Sequence, residues 1–350
     1  MNNRSVQYTV SRGLLFLITF LLFFFAAGCR TQEKQTALIL YNENDPFIYT
    51  FARQLEDLTS DIPNYQLETI DSQNSQILQN EQIEEMAAKG RDLLIINPVD
   101  RLGSYSIVKK MKDQEMPIIF FNREPLIEDL KLWDKAYYVG ARAEQSGQLQ
   151  AELIMELFGN DPNQLNQYDR NGDNIIQVVI LKGEQGHQDA EIRTVEVVRA
   201  FRDRGFELEI LITEVANWNQ VQAFEKMEQI LKTFGGSMEV LLSNNDAMAI
   251  GALDRMRLEE VFSDTNGNDR IDPLDDDWLP VVGIDGLSEA VKEIEQGYLY
   301  GTVLNDSLTQ AKAIVELSEY ILEMRRLDGM SFEIIDDKYI WIDYKVFTLD

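Results

Sequence analysis

From Ala37 onward the chain alternates short apolar, β-branched runs with longer amphipathic stretches, and this pattern constrains the fold more than any other feature. The runs Ala37–Tyr41, Gln66–Ile70, Leu93–Ile96, Ile118–Phe121 and Tyr137–Val139 form one series. Ile176–Leu181, Glu207–Ile212, Glu239–Leu242, Val281–Ile284 and Leu299–Val303 form a second. Between them, Phe47–Leu58, Asn80–Lys89, Glu144–Phe158, Ala190–Arg204 and Val221–Thr233 carry helical periodicity. Near-continuous apolar strands separated by helices predict parallel sheets covered on both faces. Two such series predict an α/β protein of two doubly wound lobes, and 350 residues suffice for two cores. Ligands of open sheets sit beyond the carboxyl ends of the strands. Polar residues gather there: Asn44-Asp45, Asn122, Asn244-Asn245-Asp246 and Asp285.

The formal charge of −28 excludes a nucleic-acid partner, because phosphate binding needs Lys/Arg surfaces. A single Cys excludes an intrachain disulfide, and a single His excludes a hydrolase triad. There is no G-x-S-x-G, P-loop or H-E-x-x-H motif. Polar strand ends without a nucleophile–base pair predict binding rather than catalysis.

Residues 1–28 read as a signal peptide. Arg4 and Arg12 precede the apolar run Leu14–Ala27, about 14 residues long, short for a spanning helix and right for a signal h-region. Ala26-Ala27-Gly28-Cys29 resembles the lipobox of bacterial lipoproteins, although Ala26 stands where an aliphatic residue is usual. That resemblance implies a lipid on Cys29 and a polar tether through residue 35, on the outer face of the cell membrane. An uncleaved anchor helix is the alternative.

Two segments carry metal-binding spacing. Asp169, Asn171, Asp173 and Gln177, with the carbonyl of Ile175, supply oxygens in the order of an EF-hand loop, with Asn174 at the position usually held by Gly. Position 12 is Ile180, so a further carboxylate must come from elsewhere; the alternative is a polar surface turn. The second segment offers Asp264, Asn266, Asn268, the carbonyl of Arg270, Asp272 and Asp275, and its alternative is a solvated acidic loop.

Several blocks occur in order with compatible spacing: FFNREP (Phe120–Pro125), DKAYYVG (Asp134–Gly140), GEQGHQDAEIRT (Gly183–Thr194), SNNDAMAIGA (Ser243–Ala252) and GTVLNDSLTQAKA (Gly301–Ala313). Together they resemble the bacterial periplasmic galactose/glucose-binding proteins from about Ala37 to the C-terminus. The resemblance implies a sugar site of Asp45, Phe47, Asn122, His187, Asp189, Arg193, Trp218, Asn245, Asp285 and Asn305. It also implies a structural Ca²⁺ held by Asp169, Asn171, Asp173, Ile175 (carbonyl), Gln177 and the distant Glu239. Pro46 and the acidic stretch Asp264–Asp277 depart from the family's pattern. A three-segment hinge is expected near 140–142, 305–307 and 335–342. It joins residues 36–140 with 307–336 as one lobe, and 141–306 with 337–350 as the other.

The residue types suit a pyranose, which has apolar C–H faces and a rim of hydroxyls. Phe47 and Trp218 can cover the faces, while carboxylates, amides, Arg193 and His187 serve the rim. Trp133, Trp341 and Met248 are expected to pack. The partners implied are a monosaccharide, glucose or galactose, and an ABC permease. A chemoreceptor or membrane sensor that receives the sugar-loaded protein without supporting transport is the alternative. A transcription regulator on the same lobes would need a basic N-terminal helix-turn-helix, which residues 1–35 do not supply.

Overall fold

The computed structural model describes residues 33–349; the expected leader, with Cys29, lies outside them. The first sheet runs in the order β2 (Tyr65–Asp71), β1 (Lys34–Leu40), β3 (Leu93–Ile96), β4 (Ile118–Phe121), β5 (Ala136–Gly140) and β11 (Tyr339–Trp341), all parallel. The second runs β7 (Leu208–Val215), β6 (Ile176–Lys182), β8 (Val240–Ser243), β9 (Val281–Asp285), β10 (Gly301–Leu304) and β12 (Lys345–Thr348). Only β12 in this sheet is antiparallel to its neighbour. Two parallel-sheet α/β lobes are therefore present, as the alternating pattern predicts.

Side-chain alternation explains why both faces of each sheet are dry. Ala37, Ile39, Leu94, Ile96, Ile118 and Phe120 enter one core of the first lobe, while Leu38, Leu40, Leu93, Ile95, Ile119 and Phe121 enter another on the opposite face. In the second lobe Val178, Ile180, Leu242 and Ile284 face one way, and Val179, Leu181, Leu241 and Val281 the other. Trp133, Trp341 and Met248 pack as expected. Trp341 stacks on Tyr339 with ring centroids 5.0 Å apart, Met248 is fully buried, and the Trp133 indole N–H donates to the Met116 carbonyl at 2.9 Å.

In each sheet the first strand lies between its two successors, β1 between β2 and β3, and β6 between β7 and β8. Winding reverses there, and the crevice outside the carboxyl ends of such strands is where ligands bind. The helices that follow these strands are α1 (Pro46–Ser60), α2 (Gln76–Ala88), α3 (Ser104–Asp113) and α4 (Ile127–Leu130) in the first lobe. In the second they are α5 (Ala143–Leu157), α6 (Gln188–Asp203), α7 (Gln220–Phe234), α8 (Asp246–Leu258) and α9 (Ser288–Glu295). α10 (Ser307–Leu322) returns to pack on α1.

The chain crosses between lobes after β5, after β10 and between β11 and β12. The last crossing corrects the expected boundary at 336/337. Tyr339–Trp341 extends the first sheet by pairing with Tyr138–Gly140, so residues 337–341 stay with the first lobe and the passage falls at Ile342–Tyr344. The tether is also shorter than expected, because Lys34 and Gln35 already pair with Tyr65 and Gln66. Among the described residues no helix is long and apolar enough to cross a membrane.

Candidate functional site

Three helix N-termini converge on the cleft, and each is capped by a residue that also faces it. Asp45 caps α1, its Oδ1 accepting from the amides of Phe47 (2.9 Å) and Ile48 (3.2 Å). Pro46 is the first residue of that helix, where a missing N–H costs nothing, so this departure from the family's pattern is absorbed locally. His187 caps α6, its Nδ1 accepting from the Asp189 amide at 3.1 Å. Asn245 caps α8, accepting from the Met248 amide at 3.0 Å. The positive ends of these helix dipoles offset carboxylates gathered in the cleft.

One cavity brings the expected residues together. It measures about 350 Å³ counting its open mouth, and is lined by Asp45, Phe47 and Asn122 from the first lobe and by His187, Asp189, Arg193, Trp218, Asn245 and Asp285 from the second. A wider cleft cavity of ≈ 750 Å³ adjoins it and shares Arg123, His187 and Asp189. Asn305 is the expected residue that does not line this cavity. Its amide donates to the Asp285 carbonyl at 3.1 Å and its side-chain oxygen accepts from Gln310 at 2.6 Å, so it stands behind Asp285.

Two lining residues were not singled out in the sequence, Tyr41 and Arg123. The Tyr41 hydroxyl donates to Asp45 Oδ2 at 2.5 Å, and the Arg123 guanidinium lies 3.9 Å from the centre of the Tyr41 ring. Arg123 also reaches across the cleft to Glu184 at 3.3 Å, while Gln188 donates to Glu124 of the opposite lobe at 2.9 Å. Their position within two residues of the ends of core strands was the available signal; their side-chain types, a tyrosine and a surface-like arginine, gave none.

Arg193 is the electrostatic centre. It is 4 % exposed, lies 3.7 Å from Asp189 and 3.9 Å from Asp285, and donates to the Asn244 carbonyl (2.6 Å) and the Tyr344 hydroxyl (3.0 Å). Burial opposes its charge, but Tyr344, Asp189 and Asp285 outweigh that and hold its pKa above the ordinary value. Burial raises Asp189 and Asp285, with Arg193 pulling both back. His187 is pushed well below 6.5, by burial first and then by Arg123, Arg193 and Arg101. It is therefore neutral at physiological pH. With Nδ1 accepting, its proton sits on Nε2, free to donate.

The Asp169 loop is a series of turns held by its own side chains. Asp169 accepts from the amides of Gly172 (2.8 Å) and Asn174 (2.9 Å), and Asn174 takes the left-handed conformation at φ 63°. Glu239 reaches in from the start of β8, accepting from the amides of Arg170 (2.6 Å) and Gln177 (3.3 Å). Gln177 is 2 % exposed and its Oε1 has no donor, while its Nε2 donates to Asp173 at 3.0 Å. An orphaned buried amide oxygen is of the kind that a hard cation takes. Among the described residues no three His, Cys, Asp or Glu side chains form a metal cluster, so amide and carbonyl oxygens must complete any such site.

The Asp264 loop repeats the turn. Asp264 accepts from the amides of Gly267 (2.6 Å) and Asp269 (2.9 Å), and Asp272 accepts from the side-chain amides of Asn266 (3.1 Å) and Asn268 (2.7 Å). Asp276 closes the turn, accepting from the amides of Thr265 and Asp272, while the Asp275 carbonyl accepts from the Thr265 hydroxyl. Arg270 lies 3.7 Å from Asp272.

Comparison with known proteins agrees with this fold. Residues 36–325 match the periplasmic binding protein domain. The chain is 33% identical over 321 residues to the D-galactose/methyl-galactoside binding periplasmic protein of Haemophilus influenzae, covering 91% of each. It is 26% identical over 274 residues to a putative rhizopine-binding protein of Rhizobium meliloti, covering 78% of this chain and 79% of that one. Among solved structures, an ABC transporter solute-binding protein of Actinobacillus succinogenes with bound D-allose superposes with a TM-score of 0.72 at 21% identity, covering 90% and 97% of the two chains. A Caulobacter myo-inositol binding protein gives 0.72 at 20%, covering 91% and 94%.

Proposed function

The chain belongs to the periplasmic binding protein family, and we propose that it captures D-galactose or D-glucose in its interlobe cleft, as a lipid-anchored extracytoplasmic protein, and delivers it to an ABC permease. Proteins of this family are substrate-binding components of transport and not enzymes.

The observation that carries the hexose reading is the cavity itself. Phe47 approaches from one lobe and Trp218 from the other, with Asp45, Asn122, Asp189, Asn245 and Asp285 between them around Arg193. Aromatic rings cover the apolar faces of a pyranose, and carboxylates accept from its hydroxyls while Arg193 and the His187 Nε2 donate. Hydrogen bonds to charged groups contribute about 1.5–3 kcal/mol each, and a ligand that leaves one of these groups unpaired loses at least as much. The galactose/methyl-galactoside protein of Haemophilus influenzae supports a hexose over other solutes.

The lipid anchor rests on the sequence before Cys29. Cys29→Ala is expected to move the protein out of the membrane fraction. Ca²⁺ is proposed as a structural ion at the Asp169 loop, with Glu239 bringing the set into the range of roughly six to eight oxygens that calcium takes.

Calorimetric titration against hexoses, pentoses and disaccharides tests the reading. Heat with glucose or galactose and little with pentoses is the expected result. No heat with either hexose, together with tight binding of ribose or a peptide, refutes it.

A further inference from the structure

Strand β9 ends in an unusual backbone. Asp285, which lines the cavity, has a φ of 131°, whereas every other non-glycine residue at positive φ among the described residues lies between 51° and 63°. An L-residue in that region is strained and persists only where its surroundings over-determine it. Here the restraint comes from Asp246, the first residue of α8, which is fully buried and does not line the cavity. Its Oδ2 accepts from the amides of Gly286 (2.7 Å) and Leu287 (2.8 Å), and its Oδ1 accepts from the Thr302 hydroxyl (2.7 Å). The space for it is built in. A Cβ on Gly283 would stand 2.1 Å from Asp246 Oδ1, so only glycine on that strand admits the carboxylate.

We propose that Asp246 is a positioning residue, which never touches the sugar but holds the turn after β9 so that Asp285 enters the cleft beside Arg193. The inference rests on the reading of the cleft as a sugar site. The two amides that Asp246 gathers belong to the residues directly after Asp285, so they determine the direction in which the strand leaves the sheet. Without an acceptor, buried amides seek other partners, and the strained φ is the first thing to relax. Asp285 would then lose its place 3.9 Å from Arg193, and the ligand would lose an acceptor. The change Asp246→Ala removes both oxygens, so the Gly286 and Leu287 amides and the Thr302 hydroxyl all lose this acceptor; Asp246→Asn would not, because its N–H₂ can donate to the Thr302 hydroxyl while its oxygen keeps both amides.

The test is a double-mutant cycle of Asp246→Ala and Asp285→Asn, read by calorimetry with the hexose that the wild type prefers. Asp246→Ala should weaken binding by about tenfold or more, and the double variant should bind no worse than Asp285→Asn alone, because both act through one group. A crystal structure of Asp246→Ala should show Asp285 at negative φ, a readout that needs no sugar. Hexose affinity within about twofold of the wild type, losses that multiply independently, or an unchanged φ each overturn the proposal. Should Asp246→Ala fail to fold, Thr302→Val removes the hydroxyl that donates to Asp246 and accepts from the Gly286 amide at 3.3 Å, and leaves both amide bonds to Asp246 in place. A smaller loss in the same direction supports the role, and an unchanged affinity refutes it. A wild type that binds no hexose defeats the sugar reading instead, and the φ of Asp285 in the variant still decides this one.

Discussion

The indole of Trp218 lies directly over the α-carbon of Gly183: a Cβ on that glycine would stand 2.3 Å from the ring. The close approach seats Trp218 at the mouth of the cavity, edge-on to His187 with centroids 5.2 Å apart. Trp218→Ala is expected to weaken hexose binding by about 1–3 kcal/mol through lost stacking and burial. Gly183→Ala, which leaves every polar contact group in place, should weaken binding in the same direction by displacing the ring. Calorimetry on both variants checks this, and unchanged affinity in Gly183→Ala contradicts the seating.

Calcium removal should lower the melting temperature. Stabilisation by a bound ion grows with the logarithm of its free concentration over its dissociation constant, so a chelator titrates it away. Glu239→Gln should shrink the chelator response if the Asp169 loop holds the principal ion. Changing Asp264 and Asp272 together to Asn is the control for the other loop. A response abolished by that control and intact in Glu239→Gln assigns the principal ion to the Asp264 loop.

His187 supplies a pH signature. Its pKa is depressed in the folded protein, by burial and then by the neighbouring arginines, so the unfolded chain takes up the proton first. Stability linked to this group is full above about pH 6.5 and is lost as pH falls below that, towards the depressed folded pKa. His187→Asn, which keeps a capping acceptor for α6, should flatten that part of the acid limb. Melting curves of both proteins from about pH 7.5 to 5 measure it, and parallel acid limbs refute it.

Arg123 and Glu184 meet across the cleft at 3.3 Å, although they belong to different lobes. Glu184 is 41 % exposed on its side chain, so the pair contributes at most about 1 kcal/mol. That is enough to bias a hinge without locking it. Scattering should show a smaller radius of gyration with sugar present. Glu184→Gln should enlarge the sugar-free radius while the loaded one is retained. A radius indifferent to sugar, in a sample with binding confirmed, contradicts hinge closure.

Much of this architecture was legible in the chain. Runs such as Leu93–Ile96 and Ile118–Phe121 are apolar at every position because both faces of a parallel sheet are covered, and they appear at those residues in the fold. Asp45, His187 and Asn245 stand where strands give way to helices, and a side chain that caps a helix there points towards the crevice. Local chemistry and local position coincide at Asp45 and Asn245, so a linear reading finds them, whereas His187 was reached through the family resemblance.

Elsewhere the deciding partner is remote. Tyr339–Trp341 and Lys345–Thr348 are both short strands near the end of the chain, and nothing in their composition says that the first extends one sheet and the second the other. Asn305 has the right residue type for a sugar contact, but its side chain is engaged by Gln310 and its amide by Asp285. Arg123 becomes a wall of the cavity only because Tyr41 offers it an aromatic face and Glu184 a carboxylate from the opposite lobe. Asn245 and Asp246 are adjacent in sequence, yet the first faces the cavity and the second is sealed behind β9. Periodicity and capping act over a few residues, so the sequence alone determined the strands, the helices and the ring of polar strand ends. Which side chains meet across the cleft, and which are turned away from it, depends on long-range packing, so only the tertiary structure decided it.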